Sequence, residues 1–316
     1  MKKRFKAASK FNKEADVTYI EGDVFKKIKS LPDESMNLII SSPPYNLNKS
    51  YEEKKAFHIY LYEMEELLEE IKRVLKKNGA VCWQVGNHLT KTGGVSEIIP
   101  LDIKFYEMFK KLGFKLRNRI IWHFRSGFHA KQRLSGRYET MLWFTKSDKF
   151  TFNLNPIRVW QKYQGKTHYR GEKKGKLSGN KKGMNPSDFW VKMENEFDEG
   201  IWDFPNVKAN HPEKTQHPCQ FPIELVERCV LAFSKKGEIV FDPFAGVGTT
   251  LIAALKNDRK AVGCELFKEY IEETKTRVKN LQNGSLPYRE RGLPIQKATG
   301  KVAKKVFEEK NATKKL

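Results

Sequence analysis

The chain contains no CxxC pair: its four cysteines, Cys82, Cys219, Cys229 and Cys264, are scattered along 316 residues. That excludes a zinc ribbon and a secreted disulfide scaffold, and it fits a reducing, cytoplasmic setting. No run of about eighteen apolar residues is present, so no transmembrane helix is expected. The basic start Met1-Lys2-Lys3-Arg4-Phe5-Lys6 leads into no apolar segment, so no secretory signal is expected. The pattern GxxxxGK[S/T] is missing, which excludes a P-loop kinase or ATPase. Acids are also scarce relative to bases: 38 Asp+Glu stand against 60 Lys+Arg, for a net charge of +22. A chain this basic implies a polyanionic partner, nucleic acid ahead of an anionic membrane surface.

What is present is an ordinary globular balance, 39% hydrophobic and 31% charged, long enough for one large domain or two modest ones. Strand-like and helix-like segments alternate. Strands are expected at Val17–Ile20, Met36–Ile40, Ala80–Val85, Ile120–Phe124, Thr140–Phe144, Glu238–Phe241 and Lys260–Cys264. Helices are expected at 61–75, where Leu61, Met64, Leu68, Ile71 and Leu75 are helically spaced and Gly79 reads as a stop, and at 102–112, Pro222–Phe233, Thr249–Leu255 and Lys268–Leu281. This alternation predicts an α/β fold with a mostly parallel sheet and helices on both faces. Residues 161–183 interrupt it with eight Lys/Arg, five glycines and a single acid, Glu172. Such a stretch cannot bury a core and reads as a surface loop.

Two segments carry chemistry. In the first, Val240-Phe241-Asp242-Pro243-Phe244-Ala245-Gly246-Val247-Gly248-Thr249-Thr250 joins a strand to a helix. Gly246 and Gly248 permit a tight turn and close approach of a ligand to the backbone, and the helix start offers free N–H groups. The next strand ends in Glu265, where this architecture places an acid on ribose hydroxyls. The third glycine of GxGxxG is absent, which disfavours a dinucleotide and leaves a nucleoside cofactor. In the second segment, the buried strand Leu38-Ile39-Ile40 opens into Ser41-Ser42-Pro43-Pro44-Tyr45-Asn46. Two prolines remove two donors and leave carbonyls free to face a cleft. A hydroxyl, a carbonyl and an aromatic face together suit a flat base with an exocyclic amino group.

Ser42-Pro43-Pro44-Tyr45 and Asp242–Thr250 together resemble the catalytic and cofactor motifs of the amino-group DNA methyltransferases. The likeness spans about 15–280, and its motif order, catalytic before cofactor with a basic insert between them, resembles the β class of that family. The resemblance implies a Rossmann-like methyltransferase sheet, circularly permuted so that Val17–Ile20 adjoins Lys260–Cys264. It implies S-adenosyl-L-methionine as cofactor, held by Asp23, Pro218, Asp242, Pro243, Phe244, Gly246, Gly248, Thr249, Thr250 and Glu265. Asp23 reads equally as an acid on the cofactor's adenine amino group and as a turn residue after Gly22. His217, in the segment Lys214–Pro222 that resembles the family's cover over the methionine end, reads as a helix-entry histidine ahead of a general base.

The implied reaction is transfer of a methyl group to an exocyclic amino nitrogen of a base flipped out of double-stranded DNA. Tyr45 would stack on the base, while Ser42 and the Pro43 carbonyl would accept its N–H bonds, with Pro44 shaping the turn. No metal is required. In the family, serine at the first motif position goes mostly with cytosine N4 and aspartate with adenine N6, so cytosine N4 is expected, with adenine N6 the alternative. Pro218-Cys219 resembles the nucleophile pair of carbon-5 methylation, but it lies away from a catalytic strand end. A binding-only protein of the same fold stays open as another class. The implied layout is a catalytic half at 15–150, a target-recognition insert at 151–210, a cofactor half at 211–283 and a basic tail at 284–316. Within the insert, Lys162, Lys166, Arg170, Lys173, Lys174, Lys176, Lys181 and Lys182 would neutralise phosphates. Trp160, Tyr163, Tyr169 and Trp190 would pack or stack, and Arg125, Arg133 and Arg137 would also face DNA. A homodimer and an accompanying restriction endonuclease complete the implied partners.

Overall fold

Leu38 and Ile40 face one side of their strand and Ile39 the other, and all three are fully buried. The same alternation recurs at Ala80 and Cys82 against Val81 and Trp83, and at Met141 and Trp143 against Leu142 and Phe144. Strands apolar on both faces need cover on both faces, which is the three-layer α/β solution. The computed structural model describes residues 4–92, 95–124, 129–130, 133–159, 165–190, 207 and 211–289.

Along the chain come β1 (Ala7–Ala8), β2 (Val17–Glu21), α1 (Val24–Lys27), β3 (Met36–Ser41), α2 (Phe57–Val74), β4 (Leu75–Val85), β5 (Asn87–Thr92), β6 (Val95–Pro100), α3 (Leu101–Lys111), β7 (Lys115–His123) and β8 (Tyr138–Thr145). Then follow β9 (Phe189–Trp190), α4 (Ile223–Phe233), β10 (Ile239–Asp242), α5 (Thr249–Lys256), β11 (Lys260–Glu265) and α6 (Lys268–Asn283). Nine strands form one sheet in the order β1-β2-β11-β10-β3-β4-β8-β7-β9. The first long strand, β2, pairs in parallel with the last, β11, from Val17↔Ala261 to Glu21↔Glu265, the adjacency that the circular permutation requires. The exception to the parallel pattern is β8, antiparallel to both β4 and β7. Helices α1, α2 and α3 bury their apolar faces against one side of the sheet, and α4, α5 and α6 against the other.

Several features depart from the sequence reading. Strand β7 begins at Lys115, five residues before the expected Ile120. Leu75 and Gly79 are not the end and stop of a helix. Helix α2 ends at Val74, Leu75 turns extended (ψ 132°), and Gly79 lies within β4. Gly79 is needed for close approach, because a Cβ there would lie 2.6 Å from the Leu75 side chain and 3.0 Å from the Asn37 carbonyl. The hairpin β5–β6 has no counterpart among the expected elements: Leu89 and Ile98 are exposed, so its apolar period is weak. Finally, β8 starts two residues earlier than expected, at Tyr138, which brings Glu139 into the sheet.

The insert leaves and rejoins the sheet. An isolated bridge, Val159↔Met184, closes its base, and residues 165–182 are exposed apart from the half-buried His168. Its last described strand, β9, pairs in parallel with β7 at the sheet edge. Of the basic tail, residues 290–316 lie outside the described residues. No described helix is long and apolar enough to cross a membrane.

Candidate active site

In a parallel sheet, ligands gather at the carboxyl ends of the strands. Here those ends belong to β2, β11, β10, β3 and β4, and the segments following them surround a cavity of about 970 Å³. Because β8 runs the other way, it delivers its start, Glu139, to the same rim.

One wall is the turn after β10. Pro243, Phe244, Gly246 and Thr249 line the cavity, joined by Asp23, Pro218 and Glu265. Gly248 begins α5 in the left-handed region (φ 74°), and a Cβ there would sit 2.2 Å from Thr274 Cγ2, so only glycine fits. The Glu265 carboxylate accepts the Gly246 N–H at 2.8 Å and the Phe267 N–H at 3.0 Å. Burial nonetheless pushes its carboxyl up, against the lowering effect of those N–H groups. Asp23 caps α1 by accepting the Phe25 N–H at 3.0 Å, and it also lines the cavity.

Asp242, Gly248 and Thr250 are not on the cavity surface. Asp242 is buried behind it and accepts from Ser41 Oγ and Thr250 Oγ1, each at 2.6 Å, and from the Phe244 N–H at 3.0 Å. It therefore ties the end of β3 to the end of β10 and to α5, holding the two motif segments in register. Burial pushes its carboxyl up to about 6 despite those three donors.

The facing wall follows β3. The prolines leave three successive carbonyls, at Pro43, Pro44 and Tyr45. Tyr60 donates its hydroxyl to Pro44 O at 2.8 Å, and His88 Nδ1 meets Tyr45 O at 3.0 Å. Among the described residues no donor reaches Pro43 O, the carbonyl beside Ser42. The Ser42 hydroxyl lies 3.1 Å from the Tyr45 hydroxyl, and both side chains are half-buried and border the cavity. Beyond this turn, Asn46 adopts a left-handed conformation (φ 59°), exchanges two hydrogen bonds with the Lys55 backbone, and closes a loop whose Tyr51 stacks on His217 at 5.2 Å. His217 lines the cavity and its Nδ1 accepts from the Cys219 N–H. Burial, then the nearby Lys214 ammonium, pulls its pKa down to about 4, so it is a neutral ring near pH 7.

Sequence reasoning missed Glu139, Gln84 and the Asn46–Lys55 clamp. Glu139 is half-buried on the cavity rim, Gln84 Nε2 donates to its carboxylate, and the Tyr45 ring lies close by across Gly86. Burial pushes the Glu139 carboxyl up to about 7. The signal available in the sequence was an acid set against the apolar run Met141–Phe144.

Of the insert cations, Lys166, Arg170, Lys173, Lys174, Lys176, Lys181 and Lys182 are all exposed, and among the described residues none has an acidic partner. Arg170 lies over the Tyr169 ring at 5.7 Å, and that ring is itself exposed. Arg133 and Arg137 donate to neighbouring carbonyls, of Leu134 and Gly136. Lys162, Trp160, Tyr163 and Arg125, and the side chain of Trp190, lie outside the described residues.

A mostly parallel α/β sheet with a glycine turn on one wall of its cavity and an acceptor-rich proline turn on the other is the architecture of a Rossmann-like methyltransferase. Residues 36–276 match the N6/N4 DNA methylase family, and the chain belongs to that family. It is 43% identical over 251 residues to the type II methyltransferase M.BglII of Bacillus subtilis, a match covering 79% of this chain and 66%, just under two thirds, of that relative. It is 32% identical over 270 residues to the DNA adenine methyltransferase YhdJ of Escherichia coli (strain K12), covering 84% of this chain and 83% of that protein. Among solved structures, the TTHA0409 protein of Thermus thermophilus in complex with S-adenosyl-L-methionine superposes with a TM-score of 0.56 at 28% identity, covering 85% of this chain and 96% of the other.

Proposed function

We propose that the protein transfers a methyl group from S-adenosyl-L-methionine to the exocyclic N4 of a cytosine flipped out of double-stranded DNA, as the modification enzyme of a restriction–modification system. The observation that carries this reading is the pairing of Pro43 O, an acceptor that no donor reaches among the described residues, with the Ser42 hydroxyl at the edge of an aromatic-lined cavity. Two acceptors side by side match the two N–H bonds of an amino group. Tyr45 supplies a face for the base to stack on. Accepting both N–H bonds turns the nitrogen lone pair out of conjugation with the ring and fixes its direction, so positioning and hydrogen-bond electrostatics supply most of the rate.

The opposite wall fits a nucleoside cofactor. Asp23 and Glu265 follow or end neighbouring parallel strands, β2 and β11, and both line the cavity, which supports a reading in which they accept from an amino group and ribose hydroxyls of the cofactor. Phe244, Pro243 and Pro218 supply apolar surface between them. When bound, the cofactor supplies an electrophilic methyl group on a sulfonium centre. Asp242, Gly248 and Thr250 act by holding the turn. His217 is a neutral wall stacked on Tyr51. Residues 151–210 form the target-recognition insert, whose exposed cations engage phosphates, and the catalytic motif precedes the cofactor motif as in the β class.

Adenine N6 is the second reading, favoured by the likeness to a relative named for adenine. Incubation with the cofactor and unmethylated DNA, digestion to nucleosides and mass spectrometry separates the two. N4-methylcytosine is the expected product. N6-methyladenine would keep the fold, cofactor and geometry and replace the target. No methyl group on any DNA, with cofactor binding intact, would leave a nucleic-acid-binding role.

A further inference from the structure

Methylation of an amino nitrogen creates a proton that has to leave. As the nitrogen lone pair forms the N–CH₃ bond, the methyl group's bond to its donor breaks and that electron pair stays with the donor. The nitrogen becomes cationic, and neutrality returns only when one N–H bond breaks and its electron pair goes back to nitrogen. A Ser-Pro-Pro-Tyr turn accepts hydrogen bonds, but none of its groups is a base near pH 7: burial pushes even the Tyr45 hydroxyl well above its ordinary range.

The structure places a carboxylate behind that turn. Ser42 Oγ lies 3.1 Å from Tyr45 Oη, Gln84 Nε2 donates to the Glu139 carboxylate, and Glu139 and the Tyr45 ring meet over Gly86 at the edge of the same cavity. Gly86 makes the approach possible: a Cβ there would lie 3.0 Å from Tyr45 Cε2 and 3.3 Å from Glu139 Oε1. Gln84 is an amide and cannot take a proton. Resting on the methyltransferase reading above, we propose that Glu139 is the terminal acceptor of the proton released at the target amino group, reached through Ser42 and Tyr45.

In that step the amino proton passes to Ser42 Oγ, the serine proton to Tyr45 Oη, and the tyrosine proton to the Glu139 carboxylate, which ends as a neutral acid and later loses its proton to water. The ionised carboxylate also sets the direction of the chain beforehand. With Glu139 charged, Tyr45 donates to it and accepts from Ser42, which leaves the serine lone pairs for the substrate. With Glu139 protonated, the chain can run in reverse and Ser42 is no longer obliged to accept. The groups facing Glu139 are Tyr45 beyond β3, Gln84 on β4, the cross-strand partner of Glu139, Trp122, on β7, and Tyr51 across the cavity, with Cys219 beside Tyr51; His88 touches Tyr45 through the backbone. Burial dominates and raises the carboxyl to about 7, so the active, ionised form is lost as pH falls through neutrality.

The test combines two readouts on the full chain. Single-turnover methyl transfer is followed from pH about 5.5 to about 9 for the wild type, Glu139→Gln and Glu139→Asp, a window that brackets the inflection expected of such a base. Side-chain carboxyl resonances are titrated by ¹³C NMR in the ligand-free wild type and Glu139→Gln proteins. The expected result is a wild-type rate that rises with an inflection near about 7, matched by a carboxyl titration that Glu139→Gln removes. Glu139→Gln should lower the rate about 10²-fold and abolish the inflection while cofactor affinity stays within about twofold, and Glu139→Asp should retain the inflection. A Glu139→Gln protein with the wild-type rate, or one that is slowed but keeps the inflection, overturns the proposal and leaves the methyltransferase reading intact. A wild type that binds cofactor yet transfers no methyl group to DNA overturns both.

Discussion

The rim of the sheet and the basic insert handle polar groups in opposite ways. On the rim, one carboxylate such as Asp242 receives three donors from three different segments, and most of its neighbours are fully buried. In the insert, residues 165–182 are almost all exposed, and the described segment is shaped by isolated bridges such as Thr167↔Leu177 and His168↔Lys174 and by local turn hydrogen bonds. The rim fixes single atoms to within hydrogen-bond tolerance, so each of its residues carries a large share of the effect. The insert presents charge that acts by its sum, so each residue there carries a small share. A chemical step and a polyanion contact differ in the same way: one needs direction, the other needs density.

The sharpest break of that contrast is Asp242→Ala. It leaves Ser41 Oγ, Thr250 Oγ1 and the Phe244 N–H without their acceptor. At about 1 kcal/mol or more for each buried orphaned donor, a loss of roughly 3 kcal/mol is expected in denaturant unfolding, together with loss of cofactor binding. The pH dependence has a definite sign. Because burial raises this carboxyl to about 6, its contribution to stability is fully present below its ordinary 3.8 and is lost as pH rises through about 6. Asp242→Asn should reduce that slope and leave the part that Glu139, raised to about 7, contributes. A slope unchanged in Asp242→Asn would assign all of it to other groups.

Ser42→Ala comes next. It removes one of the two proposed acceptors but touches neither the Asp242 tie nor the turn after β10. The expected effect is a fall of about 10²-fold in single-turnover methyl transfer, with cofactor affinity and stability unchanged. Loss of cofactor affinity instead would make Ser42 part of the opposite wall.

How much of this was legible in the sequence follows from the same contrast. Leu38–Ile40 and Lys260–Cys264 read as strands because a run that is apolar on both faces is a local signal, and Gly246 and Gly248 read as a tight turn for the same reason. The adjacency of β2 and β11 was legible because a strand at each end of the chain lacked a neighbour. The direction in which Asp242 points was not, since its partner Ser41 lies 201 positions away. Nor was Glu139, which reaches the rim only because β8 runs antiparallel. Gly79 reads as a helix stop in the sequence, whereas the glycine is needed because the extended backbone folds the Leu75 side chain to within 2.6 Å, and the neighbouring strand brings the Asn37 carbonyl to within 3.0 Å, of where its Cβ would lie.

The smallest effects belong to the insert, and they are where the contrast is best sharpened. Each lysine that neutralises a phosphate adds about 0.9 to the slope of log affinity against log salt concentration. Lys173, Lys174, Lys181 and Lys182 are all exposed and without acidic partners among the described residues. Replacing all four by glutamine should lower the magnitude of that slope by up to about 3.6 and weaken DNA binding, with cofactor affinity and stability unaffected. Replacing Lys181 alone should change it by less than about 1. Summed charge predicts that the four single effects add up to the combined one. If Lys181→Gln by itself removed most of the affinity, that lysine would be acting as a positioned contact like the groups on the rim, and the insert would be reading DNA rather than merely attracting it.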